Sequence, residues 1–311
     1  MDLVWRSFES WARRRDKDGR HALVPLLGAG FNAQAGVRKS WAELLQDVER
    51  AAGLSVDLPA DLVGNTTLAW EAMVLKAAAE KKEAPADAEK RLLRVMAREL
   101  DRAYTPEGDT RAFAERFLGC GFSDVISFNF DRALQIETPV WTHRARTKFS
   151  SMHSRALVAD TRLWYPHGCV THPDSIHLGM RVYGGFIAEL EAARRQYKSE
   201  ESALAKQLTR REQRWSAQRA SAKNWLSIAM NAPLVFVGFG LGREEWPLWW
   251  FLNQRARNHA RARIERPVFA FMKREEADRL RVAADLAGIY LLTFDSYPRG
   301  WERLLSALAS R

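Results

Sequence analysis

The sequence predicts an α/β fold built on a doubly wound parallel sheet, with helical insertions that form a smaller lobe. Two observations support this fold class. Six short apolar runs lack the polar–apolar alternation of a half-exposed sheet, which is typical of strands covered on both faces. Helical patterns lie between these runs, and strand–helix alternation favours a doubly wound, Rossmann-like arrangement.

The chain opens with a predicted amphipathic helix, since Leu3, Val4, Phe8 and Trp11 fall at helical spacing. The predicted strands follow at residues 22–27, 124–128, 161–165, 234–238, 267–271 and 288–293. The helical patterns of the second half cover 243–258, 274–286 and 299–309.

Two long helical insertions interrupt this alternation, at about 40–118 and 182–230. The first contains the polar break "KKEAPADAEK" at 81–90. We expect one domain over 1–311, whose Rossmann-like core comes from about 20–39, 119–180 and 231–311. A chain of 311 residues slightly exceeds the size at which single cores stop growing, which fits one large domain with insertions.

Composition indicates a soluble globular protein, with 47% hydrophobic and 28% charged residues. The longest apolar run, 232–241, is about half the length of a bilayer span. Acidic residues in "MDLVWRSFESWARRR" argue against a secretory signal. Cys120 and Cys169 form no Cys-x-x-Cys pair, which argues against a disulfide framework and a zinc ribbon and favours the cytoplasm.

A net charge of +10 favours acidic partners such as nucleotides, nucleic acid or an acidic protein surface. Between Arg194 and Lys223, nine lysines and arginines face three glutamates, which leaves +6. This segment is either a solvated helix face or a docking surface. The stretch 248–266 mixes Trp249, Trp250 and Phe251 with arginines, as a sheet-packing helix or an interface would.

Four motifs at predicted strand ends carry the candidate chemistry. In the first, "LLGAGFNAQAG" (26–36), Gly28 and Gly30 allow a tight turn and close backbone approach to a ligand, ahead of a helix N-terminus suited to phosphate. A simple turn would have the same glycines. Ala33 replaces the third glycine of the dinucleotide fingerprint, which argues against an ordinary dehydrogenase.

The second motif, "SFNFD" (127–131), places Asn129 and Asp131 beyond a buried strand, where open α/β sheets bind ligands. A helix N-cap and a turn residue are the alternative explanation. The fourth motif, "VFVGFGLGREEW" (235–246), combines a strand, a glycine-rich turn and a helix start. It would hold a second phosphate or a ribose, or serve as a plain turn.

The third motif, "YPHGCV" (165–170), ends a predicted strand on His167. A structural or surface histidine is the alternative. His167, Cys169, His172 and His177 are alternative candidates for metal ligands, but their spacing fits no standard zinc pattern. We therefore predict no metal.

In this order the motifs resemble the sirtuin superfamily. "GAGFN…G" is similar to its Gly-Ala-Gly-x-Ser loop, "SFNFD" to Thr-x-Asn-x-Asp, "PHG" to His-Gly and "VGFGLG" to Gly-x-Ser-Leu. Two cysteines cannot build the four-cysteine zinc ribbon of the deacylases, and "GVRKSW" (36–41) replaces their Gly-Ile-Pro-x-Phe-Arg. The chain looks most like the bacterial sirtuin-like NAD hydrolases of antiphage defence. Asn32 and Gly240 stand where the family has Ser.

The resemblance implies an NAD glycohydrolase that depletes NAD in abortive infection, with NAD as substrate and no metal. A homo-oligomer or a partner defence protein would control it. Alternatives are a nucleotide-sensing module and an ADP-ribosyltransferase. Nucleic acid is a further candidate partner, through the basic segments 194–223 and 255–266. No membrane association is expected.

The residues assigned to this site fall into two groups. The catalytic set is Asn129, His167 and Asp131. Asn129 holds the attacking water, His167 contacts the ribose hydroxyls and acts as general base with a near-neutral pKa, and Asp131 orients a group or adds negative potential. The cofactor-binding set is Gly28, Ala29, Gly30, Phe31, Asn32, Ser127, Gly238, Phe239, Gly240, Leu241 and Asp295.

Overall fold

The computed structural model describes residues 3–16, 18–34, 40–56, 65–104, 107–143, 149–207, 224–242, 245–262 and 266–310. Within these ranges eight strands form one sheet. In chain order they are β1 (Val24–Leu27), β2 (Asp124–Ser127), β3 (Val140–Thr142), β4 (Arg155–Val158), β5 (Thr161–Trp164), β6 (Leu234–Val237), β7 (Val268–Lys273) and β8 (Ile289–Phe294).

Helices connect and flank the strands. They are α1 (Leu3–Ala12), α2 (Gly30–Gln34), α3 (Trp41–Ala52), α4 (Thr66–Lys81), α5 (Pro85–Ala103), α6 (Gly108–Leu118), α7 (Met180–Gln207), α8 (Trp225–Asn231), α9 (Trp246–Ala262), α10 (Arg274–Ala287) and α11 (Tyr297–Ala309). A short 3-10 turn covers Pro173–Ser175.

The sheet order is β3-β4-β5-β2-β1-β6-β7-β8. The six strands β5, β2, β1, β6, β7 and β8 are parallel to their neighbours. Leu26 of β1 lies opposite Ile126 on one side and Phe236 on the other. If these six strands are numbered in chain order, they lie in the Rossmann order 3-2-1-4-5-6. The predicted fold class is confirmed, and the point where the strand order reverses lies between β1 and β6.

The sheet also has an antiparallel edge that the sequence did not predict. Strands β3 and β4 pair antiparallel with each other, and β4 pairs antiparallel with β5. Ala159 and Asp160, which join β4 to β5, both have positive φ (46° and 62°). That conformation is typical of a type I′ hairpin turn, but the residues are not the Asn-Gly or Asp-Gly that would signal it.

Apolar side chains bury both faces of the central strands. Val24 and Leu26 of β1 pack into one layer with α8 and α9, whereas Leu27 packs into the other with α1 and α11. This two-sided burial explains why the six predicted strands are continuously apolar. The ends of the six strands lie within two residues of the predicted ends, and β7 extends to Lys273.

The helices between β1 and β2 begin with clear local signals. Ser40 caps α3 in a capping box, since its hydroxyl accepts from the Glu43 N–H and its own N–H donates to Glu43. The polar break at 81–90 contains the connection from α4 to α5, where Pro85 is the first residue of α5. Helices α3, α4 and α5 pack against one another.

One sequence prediction needs correction, and another lies largely outside the described residues. The first helix buries Trp5, Phe8 and Ala12, whereas Leu3 is 78% exposed, so the predicted apolar face was partly wrong. Much of the basic segment 194–223 lies outside the described residues, since 208–223 are not described and side chains are not described from 196 onward. In the part of the chain that is described, no helix is long and apolar enough to cross a membrane.

Candidate functional site

The four motifs of the sequence meet at one edge of the sheet. Strands β5, β2, β1 and β6 are consecutive neighbours and run parallel, so their carboxyl ends lie side by side. These ends lead into His167, Asn129, Gly28 and Gly238, respectively. The edge includes the strand-order reversal between β1 and β6, which is where open α/β sheets bind ligands.

The glycines of the first and fourth motifs lock two loops together. The Gly30 N–H donates to the Gly238 carbonyl at 2.9 Å. A Cβ on Gly28 would lie 2.7 Å from that carbonyl oxygen and about 3.0 Å from the Phe239 ring, and a Cβ on Gly238 would lie 2.1 Å from the Phe31 nitrogen. Close packing of the two loops therefore accounts for these glycines without a ligand.

The remainder of the glycine loop points in two directions. Phe31 is buried against Phe117 and Trp301, so its side chain anchors the loop in the core. The Asn32 side chain instead crosses to β2, where its Nδ2 atom donates to Asp131 Oδ2 at 2.5 Å. The residue that replaces the family's Ser is thus tied to the second motif.

Asn129 joins the same two loops. Its Nδ2 atom donates to the Gly28 carbonyl at 2.9 Å, and its backbone N–H donates to Ser127 Oγ at 3.3 Å. Because a carbonyl can only accept, the amide nitrogen is fixed toward Gly28 and the Oδ1 atom is directed away from the loop. This orientation presents a hydrogen-bond acceptor from a nearly buried side chain.

Asp131 is buried and held by two donors. Besides Asn32, the Ala133 N–H donates to Asp131 Oδ1 at 2.9 Å, as in an Asx turn. Burial raises the pKa of Asp131 above its ordinary value, and the hydrogen bonds from Ala133 and Asn32 partly offset this. Both functional and turn-forming explanations of Asp131 thus have a structural basis.

His167 lies in an aromatic enclosure. Its ring centroid is 5.0 Å from Phe128, 5.5 Å from Tyr183 and 5.4 Å from Phe186. Burial, with a smaller effect of neighbouring His177, lowers the pKa of His167 to about 3. The expected near-neutral pKa is therefore wrong, and the imidazole is uncharged at physiological pH.

A small cleft of about 20 Å³ opens beside Asn129. It is lined by Ala29, Asn32, Ser40, Trp41, Leu44, Leu100, Tyr104, Asn129, Phe130 and Asp131. His167 is not among these residues; it lies against Phe128 and Phe130, on either side of Asn129. The volume is close to the room that one water molecule needs.

One wall of this cleft comes from helices α3 to α5, called the helical lobe below, and was missed in the sequence. Trp41 packs edge-to-face on Phe130, with ring centroids 5.4 Å apart. Burial, followed by the Asp131 and Glu43 charges, raises the pKa of Tyr104 to about 12, so its phenol stays protonated. The capping box at Ser40 could have located the start of α3, but nothing in the sequence places Tyr104 beside β2.

The other assigned residues are dispersed. Gly240 and Leu241 continue the turn after β6, where buried Leu241 has φ +48°. Asp295 follows β8, three strands away from β1, and its exposed carboxylate pairs with Arg274 at 3.1 Å. The structure does not bring Asp295 to the site.

Two of the four candidate metal ligands, Cys169 and His172, make contacts with other side chains. The Cys169 thiol is buried and lies within hydrogen-bonding distance of Gln135 and Thr171. His172 contacts the Thr171 hydroxyl. Across the described residues, no group of three or more His, Cys, Asp or Glu side chains could hold a metal ion.

The fold and this edge define an α/β protein of the Rossmann-like class whose candidate ligand site lies at the strand-order reversal. A family model described as "SIR2-like domain" matches residues 123–291, slightly more than half of the chain. The chain therefore belongs to the SIR2-like family. The search of curated proteins gave no match.

The matched region contains β2 to β7 and the first half of β8, and with them Asn129, Asp131, His167 and Gly238. It stops short of the glycine loop after β1, which reaches these residues through the hydrogen bonds at Gly28, Gly30 and Asn32. SIR2-like domains use NAD and are generally NAD-dependent enzymes.

Proposed function

We propose that this protein is an NAD glycohydrolase, which cleaves the bond between nicotinamide and ribose to give nicotinamide and ADP-ribose. The observation that carries the proposal is the position of Asn129. Its side-chain nitrogen is bound to Gly28, which turns its oxygen away from the glycine loop, and the residue lines a water-sized cleft at the strand-order reversal. Membership of the SIR2-like family supports NAD as the substrate.

In this proposal Asn129 Oδ1 holds the attacking water by accepting a hydrogen bond from it. The water oxygen bonds to the anomeric carbon while the bond to nicotinamide breaks, and the bonding pair leaves with the nicotinamide nitrogen as a neutral amine. The excess proton passes to solvent. Since the transition state is oxocarbenium-like, positioning and local negative potential contribute more than a strong acid.

The uncharged imidazole of His167 changes the role proposed for that residue. With a pKa of about 3, it is a weak general base. A neutral imidazole still offers one acceptor nitrogen, and we assign it to a ribose hydroxyl. Asp131 acts as a positioning residue, because it holds the Asn32 side chain and so ties the glycine loop to β2.

The cleft beside Asn129 provides a place for an attacking water. His167 is 6% exposed and is flanked by Phe128, Tyr183 and Phe186. The cleft beside Asn129 has room for about one water molecule. A water held beside Asn129 is the acceptor that hydrolysis requires.

The same narrow cleft supports a second part of the proposal, that the resting enzyme has low activity. Trp41 and Tyr104 form one wall of this cleft, and we infer that they move apart when the substrate binds. We propose that self-assembly or a partner protein opens the cleft. The active enzyme would then deplete NAD as part of an antiphage defence. Mass photometry and NAD turnover, each with and without lysate from infected cells, test it; a fully active monomer would contradict it.

The central experiment is product analysis. The purified protein is incubated with NAD, with and without phage lysate, and nicotinamide and ADP-ribose are measured by chromatography. Release of both that disappears in Asn129→Ala is the expected result. Binding of NAD without release under every condition would indicate a nucleotide sensor, and ADP-ribose label in macromolecules would indicate a transferase.

A further inference from the structure

A second and larger cavity lies at the opposite end of the parallel strands. It has a volume of about 430 Å³ and opens between α1 and α9, at the amino ends of β7 and β8, where Val268 and Gly288 form part of its wall. The candidate NAD site lies at the carboxyl ends of the strands. The cavity is therefore a separate site, and its size falls in the range of small-molecule sites, roughly 300–1,000 Å³.

The cavity is lined by basic side chains. Arg255 is 2% exposed, and its guanidinium donates to the carbonyls of Ala229, Ala232 and Arg266 at 2.5–2.8 Å. Arg266 is the second arginine of the lining. Among the described residues that line the cavity, none is Asp or Glu.

A neighbouring histidine responds to this charge. His259 lines the cavity and bonds to the Met230 carbonyl at 2.8 Å. Burial first, and then the charges of Arg255 and Arg266, lower the pKa of His259 to about 4. The bond from Arg255 to Ala229, at the end of α8, explains part of the buried charge as a helix cap.

Two aromatic rings complete the cavity. Trp11 of α1 is partly buried, and the Arg266 guanidinium lies 5.9 Å from its ring centroid. Tyr290 of β8 is 51% exposed and also lines the cavity. Exposed rings beside fixed arginines suit a ligand that carries both a planar ring and an anionic group. One wall comes from residues within the basic, aromatic stretch of the sequence, namely Leu252, Arg255, Ala256, His259 and Arg266.

We propose that this cavity binds a nucleoside monophosphate. The Arg266 guanidinium would contact the phosphate, since a planar fork of N–H donors matches its oxygens. The buried guanidinium of Arg255, which is held by three backbone carbonyls, would add positive potential behind it. Trp11 or Tyr290 would stack on the base. The cavity volume accommodates a base, a sugar and one phosphate, and the proposal is independent of the NAD glycohydrolase function.

Calorimetric titration of the full chain with uridine monophosphate, uridine and inorganic phosphate tests this proposal. Arg266→Gln removes one charge, and Tyr290→Ala removes one ring from the partly exposed rim. Arg279→Gln is the matched control, because Arg279 is exposed on α10 and does not line the cavity. Circular dichroism confirms that each variant is folded.

The expected result is binding of uridine monophosphate that weakens about tenfold in Arg266→Gln and in Tyr290→Ala but not in Arg279→Gln. Uridine and phosphate alone should each bind more weakly than the nucleotide. The proposal is overturned if the wild-type chain does not bind the nucleotide, if uridine binds equally well, or if all variants bind like wild type. NAD is absent from the assay, so a failure here is separate from a failure of the glycohydrolase proposal.

Discussion

The Asn129 side chain at the end of β2 donates a hydrogen bond to the Gly28 carbonyl after β1, with Nδ2 and O 2.9 Å apart. This bond explains how an amide at the end of an apolar strand is accommodated. It satisfies the nitrogen inside the protein and directs the oxygen elsewhere. The same bond links the SIR2-like region to the glycine loop, which lies outside the matched residues.

Asn129→Ala should abolish NAD hydrolysis while the fold is retained. Loss of a positioning group of this kind lowers turnover by about 10²–10⁴-fold. The Gly28 carbonyl keeps its bond from the Phe31 N–H, so the free energy of unfolding should fall by only about 1 kcal/mol. Asn253→Ala, on the exposed face of α9, is the control. Near-normal nicotinamide release by Asn129→Ala would show that the site assignment is wrong.

Gly238→Ala and Gly240→Ala should differ sharply in stability. Gly238 has φ +73°, and an added Cβ would lie 2.1 Å from the Phe31 nitrogen, whereas nothing lies within 4 Å of a Cβ on Gly240. We expect a loss of about 2–4 kcal/mol for the first variant and less than about 0.5 kcal/mol for the second. Urea denaturation measures both values. Equal stabilities would contradict the locking of the two loops.

The sequence predicted the parallel part of the sheet because those strands are buried on both faces, as Leu26 and Leu27 illustrate. It missed β3 and β4, which lie at the edge. Val140 and Leu157 on these strands are 66% and 42% exposed, and such strands lack a continuous apolar run. The turn between β4 and β5 has positive φ without a glycine, so it gave no signal either.

The site was predictable where a motif and a strand end coincide, as for Gly28, Asn129 and His167. Asn32 was singled out as a departure from the family, but its bond to Asp131 depends on tertiary structure. Trp41 and Tyr104 reach the cleft only through the packing of the helical lobe. Tyr183 and Phe186 of α7 likewise complete the aromatic enclosure of His167 only in the folded chain, and burial there lowers the pKa of His167 to about 3.

Asp131→Asn should change how stability depends on pH. Burial raises the pKa of Asp131 above its ordinary value of 3.8. At pH values between 3.8 and the raised pKa, the native state therefore keeps a proton that the unfolded state has lost. The contribution of Asp131 to the free energy of unfolding of the wild type therefore falls as pH rises through that window and is constant above it. The variant lacks this titration, so its stability relative to wild type should rise there by at most about 1.4 kcal/mol per pH unit.

Urea denaturation between pH 4 and pH 7 measures that difference. Asp109→Asn, at an exposed position in the first turn of α6, supplies the background for the substitution. Because the comparison is between variants, buried histidines such as His21 contribute equally to both chains. A difference between Asp131→Asn and wild type that does not vary with pH would contradict a buried, proton-retaining carboxyl group.

NAD hydrolysis should be insensitive to pH in the range where a free histidine titrates. Burial, and then His177, lowers the pKa of His167 to about 3, so the imidazole stays neutral and its acceptor nitrogen stays available from about pH 5.5 to 8. His167→Gln keeps an acceptor oxygen and should lose less activity than His167→Ala. His172→Gln, at a half-buried position outside the cleft, is the matched control. An acid limb near pH 6.5 that is present in wild type and absent in His167→Gln would show that the residue titrates as a general base and that its enclosure opens during turnover.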